Sequence, residues 1–119
     1  MAKSLLLICR RAPWSGPAAR EALDVALAGG AFDLPIALLF LDDGVFQLQA
    51  GQQPAAVQQK DLTANLQALP LFGVEALYVA RADLDRRGLG TEHLSLPVTP
   101  VEDADLAALL NRHDLVITL

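Results

Sequence analysis

This sequence lacks both covalent cross-links and membrane segments. Cys9 is the only cysteine among 119 residues, which excludes an internal disulfide and is typical of proteins from a reducing compartment. The apolar run near the N-terminus is too short for a signal peptide and has no small-residue cleavage site after it. The apolar run at 34–41 is too short to span a membrane. We therefore expect a cytoplasmic protein.

Positive charge is also scarce. The chain has 9 Lys and Arg residues against 14 Asp and Glu residues, a net charge of −5. Because phosphate binding requires a basic face, we expect no direct contact with nucleic acid. The pairs Arg10-Arg11 and Arg86-Arg87 could form only small basic spots.

The sequence motifs of nucleotide and metal sites are missing as well. After the first apolar run the chain reads RRAPWSGP, which contains neither G-x-G-x-x-G nor G-x-x-x-x-G-K. His93 and His113 lack the spacing of metal ligands and have no cysteine pair near them. We expect both to be surface histidines, and we expect no metal and no cofactor.

Apolar residues, in contrast, are in excess. Hydrophobic residues make up 53% of the chain and charged residues 19%, whereas soluble domains average about 45–50% and about 25%. The length predicts one domain over residues 1–119. One small core does not need this much apolar surface, so we expect the chain to associate with other subunits.

Apolar runs alternate with helical patterns along the chain. A strand that is apolar at every position has both faces buried, which is typical of a parallel sheet. Strands are predicted at 4–9, 34–41, 74–80, 94–98 and 115–119. The first helix is predicted from Pro17 to Gly29-Gly30, and the second at 54–69, ended by Pro70. A third is predicted at 81–87, with Asp83 as a possible N-cap and Gly88 as C-cap. A fourth follows Thr99, which can form a capping box with Glu102. This order predicts a three-layer α/β domain with a five-stranded, mainly parallel sheet and helices on both faces.

The segment after the second predicted strand carries the first candidate site. The strand stops at Asp42-Asp43-Gly44, at the carboxyl edge of the sheet, where open α/β sheets bind their ligands. The two carboxylates could bind a cation or act as a base, or could belong to a solvated turn.

Apolar side chains follow directly, at Val45, Phe46 and Leu48. At this edge they must either fold back onto the sheet or be covered by another protein. With the apolar excess of the chain in view, we expect these three residues to form an interface.

Cys9 is the one candidate nucleophile. It ends the first predicted strand next to Arg10 and Arg11, and neighbouring cations lower the pKa of a thiol. The alternative is a packed core residue, since free cysteine is among the most buried residue types.

Together these segments resemble the DsrE/DsrF-like family of sulfur-relay proteins, and within it the TusC (DsrF-type) subunits. The stretch DGVFQL at 43–48, followed by Gly51-Gln52, carries most of the likeness. Gly16 and residues 19–23, residues 84–89 with Arg86-Arg87-Gly88, and residues 114–117 add to it.

The resemblance implies a DsrE/DsrF-like fold and a heterohexamer with TusB-like and TusD-like subunits. Such an assembly accepts persulfide sulfur from a TusA-like donor and passes it toward a TusE-like acceptor and the tRNA 2-thiouridylase, for 2-thiolation of the wobble uridine. In relatives that transfer sulfur, the persulfide cysteine stands eight residues before the glycine of an R-R-G motif, and Ala80 occupies that position here. The resemblance therefore implies a non-catalytic structural subunit, with Ala80 at the vacant nucleophile position.

Two alternatives follow from the residues themselves. The chain could be a persulfide carrier or sulfurtransferase that uses Cys9, or a domain that binds a small ligand at Asp42-Asp43-Gly44.

Overall fold

Five parallel strands form the centre of the molecule. The computed structural model describes residues 4–12, 18–31, 35–48, 68–74, 76–90, 94 and 98–119. The strands are β1 (Leu5–Cys9), β2 (Ile36–Phe40), β3 (Ala76–Ala80), β4 (Thr99–Val101) and β5 (Leu115–Thr118), in the spatial order β4-β3-β2-β1-β5. Every pairing is parallel. The predicted parallel α/β sheet is confirmed.

Helices cover both faces of this sheet. They are α1 (Ala18–Ala31), α2 (Arg81–Arg86) and α3 (Asp103–Asn111), with 3₁₀ helices at Asp42–Leu48 and Leu69–Phe72. On one face Leu23 of α1 packs with Leu7 and Leu38, and on the other Leu109 of α3 packs with Leu39. No helix in the described ranges is long and apolar enough to cross a membrane.

The central strands are apolar throughout because both of their faces are covered. All five residues of β2 are buried, and so are all residues of β1 except Leu5. The register places Cys9 beside Phe40 and Phe40 beside Val79. The carboxyl ends of β1, β2 and β3 therefore meet at one edge of the sheet, which we call the carboxyl edge.

The fourth strand and the last helix do not begin where the sequence predicts. Leu94 and Val98 are the only described residues of the predicted strand 94–98, and β4 lies at Thr99–Val101 instead. Helix α3 begins at Asp103 with Glu102 as its N-cap, so Thr99 forms no capping box. Pro100 is acceptable in an edge strand, and the burial of Val101 in the core favours the extended conformation.

Other boundaries shift by a few residues. Helix α1 continues through Gly29-Gly30 to Ala31, because glycine weakens a helix without preventing it. Pro70 lies within the first turn of the Leu69–Phe72 helix, and Gly73 then turns the chain with a φ of +86°. Strand β3 begins at Ala76, two residues later than predicted. Residues 54–67 of the predicted second long helix lie outside the described residues.

Helix α2 begins earlier than its predicted cap. Ala80 is the N-cap and Asp83 lies inside the first turn, so the Asp83 carboxylate does not cap this helix. The helix ends at Arg86 with Arg87 as its C-cap, one residue earlier than predicted, and Gly88 follows with a φ of +67°.

Candidate functional site

Cys9 is a core residue at the carboxyl end of β1. Only 2% of its surface is exposed, and burial raises the pKa of its thiol from 9.0 to about 12. The expected influence of Arg10 does not reach the sulfur, because the Arg10 guanidinium pairs instead with the carboxylate of Asp42. A thiol whose pKa is raised in this way stays protonated at neutral pH, and a protonated thiol is a poor nucleophile.

The chain passes directly over the end of β1 after it leaves β2. The Leu41 N–H donates to the Cys9 carbonyl at 3.0 Å, and the Gly44 N–H donates to the Leu41 carbonyl at 2.8 Å. A Cβ on Gly44 would lie 1.8 Å from the Cys9 carbonyl oxygen. Only glycine fits here, and the Asp42–Leu48 helix consequently lies close against the carboxyl edge.

This close approach decides where the three predicted interface residues point. Val45 and Leu48 are fully buried and belong to the same core cluster as Cys9. Phe46 packs against that cluster but is only partly buried. This corrects the expectation that all three side chains reach a partner, because two of them fold back onto the sheet and only Phe46 retains accessible surface.

Gln47 is a polar residue of the same helix and is only 2% exposed. Its Nε2 donates to the Arg11 carbonyl at 2.9 Å, which ties the helix to the chain that leaves β1.

Ala80 ends β3 and begins α2. It is 1% exposed, serves as the N-cap of α2 and stands beside Val101 in the sheet register. Its side chain is a methyl group, which can neither attack a persulfide nor hold sulfane sulfur. The position is therefore chemically inert and filled by packing.

The two adjacent carboxylates at the start of the Asp42–Leu48 helix are both paired with arginine. Oδ2 of Asp42 accepts from Nε of Arg10 at 2.7 Å, and Oδ1 of Asp43 accepts from Nε of Arg87 at 3.1 Å. Within the described ranges no three His, Cys, Asp or Glu side chains are grouped closely enough to hold a metal ion. The arrangement favours neutralised surface charge over cation binding.

Asp83 is a buried carboxylate in the first turn of α2 and not the N-cap that the sequence predicts. It is 6% exposed, its Oδ2 accepts the Asp42 N–H at 2.8 Å, and its Oδ1 accepts from Arg86. Arg87 lies near the same carboxylate at 3.7 Å. Spacing of three and four residues from a carboxylate to two arginines is the pattern of intrahelical ion pairs, and that signal could have identified it.

The Asp83 bond also holds an uncommon backbone conformation. Asp42 has a φ of +50°, the only positive φ of a non-glycine residue in the described ranges. The left-handed region favours glycine, although aspartate is one of the residues that tolerate it. The buried carboxylate thus fixes the turn by which the chain leaves β2.

An open polar groove of about 500 Å³ lies along the carboxyl edge. Its described lining comes from the segments after β1 and β2 and from the end of β5: Arg10, Arg11, Asp42, Asp43, Thr118 and Leu119. These residues include no thiol or imidazole. The groove can make ionic and hydrogen-bonding contacts, but its described lining supplies no group for sulfur transfer.

A family model described as "DsrE/DsrF-like family" matches residues 3–119. The chain belongs to the DsrE/DsrF-like family. It is 64% identical over 119 residues to the Protein TusC homolog of Pseudomonas aeruginosa, with all of both chains covered. It is 37% identical over 107 residues to the Protein TusC homolog of Vibrio vulnificus strain CMCP6, covering 90% of this chain and 91% of the relative.

Solved structures share the fold of this DsrE/DsrF-like chain. The ychN protein of Escherichia coli superposes with a TM-score of 0.82 at 23% identity, and all of both chains is covered. A conserved protein of unknown function from Bacteroides thetaiotaomicron gives a TM-score of 0.72 at 11% identity, covering 98% of this chain and 95% of the other. At such identities the likeness concerns the fold alone.

The other predicted candidates in this DsrE/DsrF-like chain contribute little. His113 is half-buried, and its Nδ1 lies 2.9 Å from the Leu109 carbonyl at the end of α3. Gly16, His93 and Gly51-Gln52 lie outside the described residues.

Proposed function

We propose that this chain is a non-catalytic structural subunit of a heterohexameric sulfur-relay complex. The complex passes persulfide sulfur toward 2-thiolation of the tRNA wobble uridine. Family membership and full-length similarity to a TusC homolog support the relay assignment. The observation that carries the non-catalytic role is Ala80, a buried methyl at the end of β3, where sulfur-transferring members of the family carry a cysteine.

The burial of Cys9 argues against the alternative that this chain carries sulfur itself. A persulfide forms when a thiolate attacks a sulfur donor, and the Cys9 thiol is 2% exposed with its pKa raised to about 12. Burial and the raised pKa both oppose attack of this thiol on a sulfur donor.

The proposed partners are TusB-like and TusD-like subunits in the hexamer. A TusA-like donor and a TusE-like acceptor would meet the complex through the subunit that has the cysteine. The net charge of −5 agrees with a chain that touches other proteins and not tRNA. We place the complex in the reducing cytoplasm, as the single free cysteine favours.

Co-expression with the two partner subunits tests the assignment. We expect the three chains to copurify and to elute together at the mass of a hexamer. Elution of this chain as a separate species, with the other two assembled without it, would contradict the proposal.

Phe46 is the proposed anchor at the partner interface. Aromatic anchors in interfaces cost about 2 kcal/mol or more when truncated, so Phe46→Ala should weaken binding to the partner subunits about 30-fold. Titration of the isolated chain against the partner pair measures this. Leu71→Ala is the matched control, since Leu71 is 87% exposed and lies on a different helix.

Phe46 also touches the core of its own chain, so thermal unfolding of the isolated variant must be compared with that of the native chain. A folded Phe46→Ala chain that binds with unchanged affinity would remove Phe46 from the interface.

A further inference from the structure

The two edges of the sheet are protected very differently. Strand β4 has only three residues and contains Pro100, which has no N–H to offer; short strands and proline are usual ways to blunt an edge. Strand β5 reads Leu-Val-Ile-Thr, with neither charge nor proline, and all four residues are exposed. Natural proteins rarely leave such an edge uncovered.

The backbone of β5 has hydrogen-bonding groups available on its outer side. The Leu115 N–H donates to the Ser4 carbonyl at 3.0 Å, and the Leu119 N–H donates to the Ile8 carbonyl at 2.9 Å. Because successive residues of a strand direct these groups to opposite sides, Val116 and Thr118 direct theirs away from β1. The free edge is therefore ready to accept another strand.

The side chains of β5 are also uncovered on both faces. Leu115 is 50% exposed, and Val116 and Ile117 are each 43% exposed. None of the three belongs to the core clusters beneath α1 and α3. An added strand would pair with the backbone and cover apolar side chains on both sides of the sheet at once.

We propose that β5 pairs in antiparallel fashion with β5 of a second copy of this chain. The two copies would be related by a two-fold axis that is perpendicular to the sheet and passes beside Val116. This symmetry keeps each face of the sheet continuous between the two copies. Val116 then lies opposite Val116 of the other copy, and Leu115 lies opposite Ile117 of the other copy. The two sheets then form one continuous sheet, in a self-complementary contact of the kind that two-fold symmetric dimers use. This inference goes beyond the proposed function and does not depend on it.

The charges at the two ends of β5 favour the antiparallel direction. Asp114 lies at the amino end, with its carboxylate bonded to the Ser4 N–H and Oγ and no cation paired with it in the described part of the chain. Arg11 lines the groove at the other end, beside Leu119, and no carboxylate pairs with it among the described residues. Antiparallel pairing brings Asp114 of one copy toward Arg11 of the other, whereas parallel pairing would bring like ends together.

Disulfide trapping tests the geometry directly. Val116→Cys places a thiol on the proposed axis, where the two Cα atoms of an antiparallel pair are about 5.5 Å apart, a distance that a disulfide spans. Cys9 is buried and contributes no background. We expect oxidation to link Val116→Cys chains into dimers, while the matched control Val25→Cys, at a site 45% exposed on α1, stays unlinked. Equal linking of both variants, or of neither, would overturn the proposal.

Sedimentation equilibrium of the purified native chain tests the association. We expect a monomer–dimer equilibrium that Ile117→Lys shifts by on the order of 100-fold, because the contact would bury an unpaired charge. Val25→Lys should leave it unchanged. Circular dichroism controls for folding, and both variants should give the spectrum of the native chain because both sites are exposed. A native chain that remains monomeric at high concentration would overturn the proposal.

The same Val116→Cys chain in the co-expressed assembly separates this inference from the proposed function. A disulfide between two copies of this chain supports the β5 pairing. An intact hexamer in which Val116→Cys forms no disulfide between copies contradicts the pairing and leaves the proposed function standing.

Discussion

Gly44 shapes the carboxyl edge by having no side chain. The Asp42–Leu48 helix can lie against the end of β1 only because nothing separates its backbone from the Cys9 carbonyl. That contact buries Val45 and Leu48 fully and leaves Phe46 only partly buried. One residue thus determines which apolar side chains belong to the core and which can meet a partner.

Gly44→Ala should destabilise the fold severely. Its Cβ would sit 1.8 Å from the Cys9 oxygen, so backbone must move, at a cost of about 3 kcal/mol or more. Gly73→Ala is the matched control, because its Cβ meets nothing within 4 Å and only the positive φ costs about 1 kcal/mol. Urea denaturation compares the two, and equal losses of stability would refute the close packing at Gly44.

Cys9 should be unreactive in the folded protein. Because burial raises the pKa of its thiol to about 12, alkylation by iodoacetamide at pH 8 should proceed only after denaturation. The folded state holds the proton more tightly than the unfolded state, whose thiol has a pKa near 9.0. The protonated thiol therefore stabilises the folded state relative to the unfolded state. This stabilisation is complete below about pH 9 and is lost as the pH rises toward 12. Rapid labelling of the native chain would contradict the burial.

The sequence shows which residues adjoin Cys9 along the chain but not which residues surround its sulfur in the fold. Arg10 adjoins the cysteine in the chain, which suggested a lowered thiol pKa. In the structure its guanidinium turns to Asp42, while the sulfur is enclosed by the core. Desolvation therefore decides the pKa, and desolvation depends on the fold.

Helix α2 and the Asp42–Leu48 helix are joined through one buried carboxylate. Asp83 accepts the Asp42 N–H from the other helix and is flanked by Arg86 and Arg87 within its own. The same arginines belong to the Arg86-Arg87-Gly88 segment, which adds to the family resemblance. Both arginines of this segment therefore have a structural role in this chain, as partners of the Asp83 carboxylate.

Asp83→Ala should lower the free energy of unfolding by about 3 kcal/mol, because it leaves the part-buried Asp42 N–H and the neighbouring arginines without their acceptor. Asp83→Asn should fall between this variant and the native chain, since the amide oxygen can still accept one hydrogen bond. The control is Asp85→Ala, an exposed position on the same helix, where we expect a change within about 0.5 kcal/mol. Similar losses of unfolding free energy at Asp83 and Asp85 would show that the hydrogen bond from Asp42 to Asp83 does not stabilise the fold.

Strands and helices could be predicted where the pattern of apolar residues in the sequence matches the burial of those residues in the fold. Strands β1 and β2 are apolar at every position because both faces are covered, and the sequence pattern shows this directly. The segment at Thr99-Pro100 has the signals of a helix start, but the pairing of β4 with β3 imposes an extended backbone. Pairing of distant segments overrides local propensity, and a single sequence does not display that pairing.

At the scale of the whole molecule, the apolar excess of the sequence proves to be concentrated at one edge. Of the five large apolar side chains that the described part of the chain leaves exposed, three lie on β5: Leu115, Val116 and Ile117. Composition predicted association but could not locate the surface. The prediction placed it at the segment after β2, whereas the structure adds an open edge strand at the other side of β1.

The central claim is that this chain supplies surface and shape to a sulfur relay but carries no sulfur. Mass spectrometry of every chain tests it most directly, after the co-expressed assembly has been loaded by a cysteine desulfurase and a TusA-like donor. We expect the mass of an added sulfur atom on a partner subunit and none on this chain, with Cys9 unmodified. Added sulfur on Cys9 of the native assembly, abolished by Cys9→Ser, would contradict the account.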